Sequence, residues 1–180
     1  LSAREGSLRT AFRAKAGQWL TSALMGFINP FLYYTVLFIA YDRLLAQEAV
    51  VLNYLWPVLL VLLSIPMLRQ RITWLQIGGI LVSFLGTMVI ATRGALTGLH
   101  FADPVGAGLA MVSALIWALY WILNLRDPRA SLPKLLLNFS FGTFYATAYL
   151  VATTGLRIPG PEAIGGSIYI GLFEMGITFA

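Results

Sequence analysis

The chain alternates between long apolar runs and short clusters of charged residues. Its nineteen charged side chains leave five runs without any charge, each 20 to 26 residues long. A helix needs about 20 residues to cross the roughly 30 Å hydrocarbon core of a bilayer, so each run is long enough to span it once. The five runs are 16–41, 49–68, 72–92, 104–125 and 135–156.

This pattern predicts an all-α polytopic membrane protein with five complete transmembrane helices and the start of a sixth near Gly165. Helices are expected because backbone polar groups in lipid must find their partners within the segment. The connections are short, which makes consecutive helices antiparallel neighbours and leaves no room for a soluble domain. The chain begins at Leu1 and the sixth run stops at Ala180, so we expect an internal piece of a longer protein.

The basic residues indicate the orientation of the helices. Nine of the twelve Lys and Arg residues lie in alternate connections, at 1–15, 69–71 and 126–134. The positive-inside rule places these segments in the cytoplasm. Nucleic-acid binding would require the basic residues to cluster on one face, and here they are divided between connections. No nucleic-acid partner is therefore expected.

Composition excludes several classes of protein. Hydrophobic residues make up 59% of the chain and charged residues 11%, whereas soluble domains average about 45–50% and about 25%. A soluble enzyme and a disordered chain are both excluded by these values. The chain has no Cys and one His, so we expect no disulfide, metal or cofactor. The apolar runs lack a paired set of acid, base or nucleophile, so no enzyme is predicted.

A few polar residues lie within the predicted spans and are candidates for function. Glu174 is the ionisable one, and carboxylates are rare at that depth unless they serve transport, proton coupling or an interhelical hydrogen bond. Asn29 and Tyr33 are four residues apart and share a helix face. Pro30 removes a backbone amide and favours a kink beside them. Cavity lining and simple interhelical bonding both remain open for Asn29.

Aromatic residues surround the start of the second span. Asn53, Tyr54 and Trp56 precede Pro57, which frees the carbonyl of Asn53 and favours a second kink. At this depth Tyr54 and Trp56 fit either a cavity wall or the aromatic belt at the membrane surface.

Two further aromatic residues are predicted to lie deeper in the membrane than Tyr54 and Trp56. Trp117 is too deep in the fourth span for the belt, and Tyr145 lies near the middle of the fifth, so both are candidates for lining a cavity. Small residues along the third and fourth spans predict close helix packing. These strips are Gly79, Ser83 and Thr87, and Gly106, Ala110, Ala114 and Ala118.

Residues 33–94 include the Asn53–Pro57 motif and the glycine pair Gly78-Gly79, and residues 106–120 lie in the fourth span. The first segment resembles the EamA-type repeat of the drug/metabolite transporter superfamily, and the second resembles the opening helix of a second such repeat. The resemblance implies a ten-helix transporter of two inverted repeats that works by alternating access. It implies that 1–102 ends the first repeat with three helices. Residues 103–180 then start the second repeat with two helices and part of a third.

Within this superfamily, residues 171–179 and the 53–56 block are similar to bacterial aromatic amino-acid exporters. The resemblance implies a small-molecule substrate, aromatic amino acids, exported across the bacterial cytoplasmic (inner) membrane. The spans contain no Arg or Lys to hold a phosphate, which disfavours phosphorylated substrates. Two alternatives remain open, namely export of another metabolite or drug and a non-transporting scaffold subunit in the lipid bilayer.

Overall fold

A computed structural model describes residues 16–91, 103–155, 160–169 and 171–173 of the chain. All regular elements within these ranges are helical. A kinked segment, Phe27–Leu32, joins the first two helices. The helices are α1 (Ala16–Gly26), α2 (Tyr33–Arg43), α3 (Ala46–Asn53), α4 (Trp56–Leu68), α5 (Trp74–Ala91), α6 (Pro104–Arg126), α7 (Ser131–Thr153) and α8 (Pro161–Tyr169).

The prediction of an all-α polytopic membrane protein is confirmed. Among the described residues, four helical segments are long and apolar enough to cross a membrane. The third predicted span corresponds to α5, whose apolar stretch, Trp74–Gly86, is shorter than the other four. The sixth predicted element begins at Pro161, slightly before the expected Gly165. The four long segments are Ala16–Arg43, Ala46–Leu68, Pro104–Arg126 and Ser131–Thr153.

Some helices are longer than the charge-free runs, because their ends include charged residues. Helix α7 begins at Ser131, so Lys134 lies in its first turn and is only 7% exposed. A lysine can bury its methylene stem along apolar neighbours in this way. Helix α6 begins after Asp103, whose Oδ1 accepts hydrogen bonds from the amides of Val105 at 2.8 Å and Gly106 at 3.3 Å. Such a cap satisfies amides that have no partner within the helix.

The described residues form two compact units. We call residues 27–128 the central unit, and the residues up to Gly26 and from Arg129 onward the terminal unit. In the central unit, α6 packs against α2, α3 and α4. Gly106, Ala110, Ala114 and Ala118 are all buried there. The predicted small-residue strip of the fourth span is thereby confirmed.

The corresponding prediction for the third span is wrong for the side chains that the structure describes. Gly79 and Ser83 are exposed, and a Cβ atom added at Gly79 would meet no described atom within 4 Å. The Thr87 side chain lies outside the described part. Spacing of small residues shows that a helix can be approached closely, but a packing partner must also be present. Here the two residues line an open cavity instead.

An ion pair joins the end of α2 to the start of α6. Arg43 Nη1 lies 2.9 Å from Asp103 Oδ2, and both side chains are partly exposed. The hydrogen bond from Arg43, followed by the one from the Gly106 amide, lowers the pKa of the Asp103 carboxyl from its ordinary value. Nearby, a Cβ atom at Gly106 would lie 2.9 Å from Leu44 Cγ. The contact between α2 and α6 is therefore tight at this end.

In the terminal unit, α1 packs against α7. Gly26 makes this possible, since an added Cβ atom would lie 2.8 Å from Phe141 Cβ and 2.9 Å from the Gly142 nitrogen. Arg129 also binds α1, and its Nη1 donates to Ser22 Oγ at 2.9 Å. The two helices are thus held by close backbone approach and by a charged hydrogen-bond donor.

Candidate functional site

Aromatic side chains from three helices of the central unit meet around Trp117 in α6. The ring of Tyr33 lies 4.6 Å from the ring of Trp117, measured between centroids. The ring of Trp56 lies 6.4 Å away at an interplanar angle of 71°. Both distances are in the range at which aromatic pairs attract. With two polar neighbours these rings form the Trp117 cluster, which consists of Tyr33, Asn53, Trp56, Ser113 and Trp117.

The polar members of the cluster hold the Tyr33 ring in place. Asn53 Nδ2 donates to the hydroxyl oxygen of Tyr33 at 3.3 Å. On its other side, Asn53 Oδ1 lies 3.4 Å from Ser113 Oγ, which also donates to the Ala110 carbonyl at 2.7 Å. A serine has one hydroxyl proton, so the shorter bond to Ala110 is the stronger of the two. The Tyr33 ring is therefore fixed by a hydrogen bond at its tip and by Trp117 at its face.

Two helix interruptions precede the residues that approach Trp117. Asn29 has an extended backbone (φ −147°, ψ 125°) inside the kinked segment and is followed by Pro30. The second interruption separates α3 from α4, and Pro57 is the second residue of α4. Proline lacks the amide that would continue the helical ladder. Tyr33 and Trp56 therefore follow these interruptions, at the beginning of α2 and α4.

Asn29 is buried with an unused acceptor. Its side chain is 2% exposed, and Oδ1 accepts no hydrogen bond from any described residue. Buried polar groups in proteins normally have partners, so this oxygen is an unsatisfied acceptor. In the terminal unit, Asn138 is fully buried, and neither polar atom of its amide bonds to a described residue. The sequence leaves the role of Asn138 ambiguous, because its burial is visible only in the structure.

The remaining predicted site residues lie elsewhere. Tyr54 is half-exposed and, within the described part, makes no ring contact with the cluster. Tyr145 lies in the terminal unit, where its ring stacks on Phe141 at 6.3 Å. Glu174 lies outside the described residues. The structure thus brings together four of the eight predicted residues, namely Tyr33, Asn53, Trp56 and Trp117.

The chemistry of the cluster is neutral and aromatic. Its members offer π faces, a hydroxyl, an amide and a phenol, and none of them carries a full charge. Within the described ranges, no group of three His, Asp or Glu side chains is placed to hold a metal ion. Such a surface is suited to flat, uncharged or cationic groups.

Comparisons with known proteins agree with this architecture. Residues 7–92 match the EamA-like transporter family. The aromatic amino acid exporter YddG of Escherichia coli (strain K12) is 35% identical over 83 residues, which are 42% of this chain and 28% of that protein. No solved structure matches the chain significantly. Members of the EamA family are transporters rather than enzymes. The chain is therefore a multi-pass membrane protein, and its residues 7–92 are similar to the EamA-like transporter family.

Proposed function

We propose that this protein is an inner-membrane exporter of aromatic amino acids or similar small metabolites. The observation that carries the proposal is the Trp117 cluster, in which Tyr33 and Trp56 approach one tryptophan from two interrupted helices. Similarity to an Escherichia coli protein named as an aromatic amino acid exporter supports the same substrate class.

Physical chemistry favours an aromatic substrate at this cluster. An aromatic ring gains about 0.5–1.5 kcal/mol from each well-placed ring partner, beyond the burial of its apolar area. An ammonium group near a ring face gains a cation–π attraction. The buried Oδ1 of Asn29 is an acceptor of the kind an ammonium requires. A phosphate finds no cationic partner among the cluster residues, so phosphorylated substrates are disfavoured.

The interrupted helices favour an alternating-access mechanism. Transporters built from inverted repeats bind substrate where discontinuous helices expose backbone groups near the middle of the membrane. Irregular backbone at this depth is tolerated where it lines a cavity or is buried in protein. In this proposal residues 1–102 and 103–180 belong to the two repeats, with the basic connections in the cytoplasm. Glu174 is the candidate group for binding the ammonium or coupling protons.

Efflux from proteoliposomes tests the proposal. The full-length protein is reconstituted, loaded with labelled tryptophan and measured with and without an imposed pH gradient. We expect efflux above that of empty vesicles, competed by phenylalanine and not by alanine. A response to the gradient would indicate proton coupling. Efflux competed equally by alanine would redirect the assignment to another metabolite, and no efflux from folded protein would contradict the substrate class.

A further inference from the structure

A cavity lies in the central unit between α4, α5 and the end of α6. Its volume is about 920 Å³, within the roughly 300–1,000 Å³ typical of ligand pockets. None of the residues of the Trp117 cluster lines it. Most of its wall is apolar and includes Val58, Val61, Ile80 and Phe84. Its lining includes Tyr54 and Pro57, on either side of Trp56 in the sequence, so the cavity lies next to the Trp117 cluster.

The polar groups of this cavity are concentrated at one end. Gln70, Arg71 and Gln76 line it where the chain passes from α4 to α5. Gln76 Oε1 accepts hydrogen bonds from the Thr73 amide at 2.9 Å and from Thr73 Oγ1 at 3.1 Å. This fixes the amide and leaves its Nε2 group as a donor. None of the described lining residues is acidic, so the charge at this end is positive.

The α4 wall of the cavity is about as long as one leaflet of a bilayer is deep. Along α4 its lining runs from Pro57 to Leu68, a distance of about 17 Å at the helical rise of about 1.5 Å per residue. Half of the hydrocarbon core measures about 15 Å. The apolar wall thus extends over the depth of one leaflet, with Arg71 just beyond its end.

We infer that this cavity binds one anionic phospholipid. The phosphate lies at Arg71 and Gln76, and an acyl chain follows the apolar wall formed by α4 and α5. Basic pockets between transmembrane helices are suited to anionic head groups. A transmembrane helix is the alternative occupant, which a cross-link from the cavity wall to protein would reveal.

Native mass spectrometry of the full-length protein tests the head-group contact. The protein in detergent is titrated with phosphatidylglycerol or with phosphatidylcholine of the same acyl chains. We expect one phosphatidylglycerol to be retained at lower concentration than phosphatidylcholine. Arg71→Gln is expected to weaken this retention about fivefold. Arg69→Gln, at a neighbouring arginine that does not line the cavity, is the matched control and should leave it nearly unchanged.

A pair of glycine variants tests the apolar wall. A Cβ atom at Gly78 or at Gly79 meets no described atom within 4 Å, and only Gly79 lines the cavity. We expect Gly79→Phe to abolish retention of the lipid and Gly78→Phe to preserve it. A photoreactive phenylalanine analogue in place of Phe84, which already lines the cavity, should cross-link to phosphatidylglycerol.

Three results would overturn the inference. They are equal retention of the two lipids, equal behaviour within either pair of variants, and cross-links from position 84 to protein instead of lipid. The readout is bound mass and not efflux. Failure of the lipid-binding inference is therefore distinguishable from failure of the transport proposal.

Discussion

The amide nitrogen of Asn53 lies 3.3 Å from the hydroxyl oxygen of Tyr33 and joins the end of α3 to the start of α2. The ring of the same tyrosine packs on Trp117, with ring centroids 4.6 Å apart. Tyr33 is therefore restrained by a directional bond and by ring packing. A ring held in this way presents a fixed face at little further loss of conformational freedom.

The contribution of this bond is measurable by a double-mutant cycle. Interhelical hydrogen bonds in membrane proteins average about 0.6 kcal/mol. We expect Asn53→Leu to lower the free energy of unfolding by about 1 kcal/mol, because it also loses the weaker contact with Ser113. Tyr33→Phe should cost about 0.5 kcal/mol, and the double variant should cost less than the sum. Strict additivity in detergent unfolding titrations would show that the bond contributes nothing.

Asn29 is predicted to matter for transport more than for stability. Its Oδ1 accepts no hydrogen bond from a described residue, so Asn29→Leu removes no such bond and should change stability by less than about 1 kcal/mol. We expect tryptophan efflux to fall about tenfold, the effect of losing one charge-assisted hydrogen bond to the substrate. Thr21→Val is the control, since Thr21 is exposed and bonds within its own helix. Normal efflux in Asn29→Leu would remove Asn29 from the site.

Gly26 is predicted to be intolerant of any side chain. A methyl group there would clash with the Asn138 carbonyl and lie 2.9 Å from the Gly142 nitrogen. Gly26→Ala should therefore destabilise the protein by about 1–3 kcal/mol. Gly17, on the same helix, has no described atom within 4 Å of a Cβ position. Gly17→Ala should be neutral or stabilising by up to about 1 kcal/mol. Equal melting temperatures for the two variants would contradict the close approach of α1 and α7.

The ion pair between Arg43 and Asp103 predicts a dependence of stability on pH. Its hydrogen bond lowers the pKa of Asp103 in the folded protein. The stabilisation is therefore complete above the pKa of the unfolded carboxyl, about 3.9, and is lost as pH falls through the lower folded value. Asp103→Asn keeps a capping oxygen for α6 and removes the charge. We expect this variant to melt earlier at neutral pH and to lose less stability on acidification. An unchanged acid profile would assign the pH dependence to other groups.

The spans and the start of α6 could be read from sequence because their causes are local. Charge-free runs reflect the cost of placing charges in lipid, and Asp103 before Pro104 is a strong helix-start signal. The helix break next to Pro57 likewise follows from a missing amide. The burial of Lys134 could not be predicted, because it depends on neighbouring residues that cover its methylene stem. The pattern of charges along the chain does not identify those neighbours.

The features that the sequence did not predict depend on tertiary geometry. The pairing of Asn53 with Tyr33 and the convergence of Trp56 on Trp117 depend on how three helices cross. The open cavity beside Gly79 depends on what is absent from that face of α5 within the described part. Neither property can be predicted from the spacing of residues along one helix. Sequence reasoning therefore identified four of the cluster's five residues as candidates for the site, without the contacts that join them.

The most direct test of the account is tryptophan efflux by the Trp117→Ala variant of the full-length protein. Loss of a ring partner worth about 0.5–1.5 kcal/mol, together with its buried area, should reduce efflux by roughly tenfold. Trp117→Phe should recover part of it. Trp74→Ala is the matched control, because Trp74 is 87% exposed at the start of α5. We expect this control to export at the rate of the unmodified protein. If Trp117→Ala, correctly folded, exports tryptophan as fast as Trp74→Ala, the Trp117 cluster is not the substrate site.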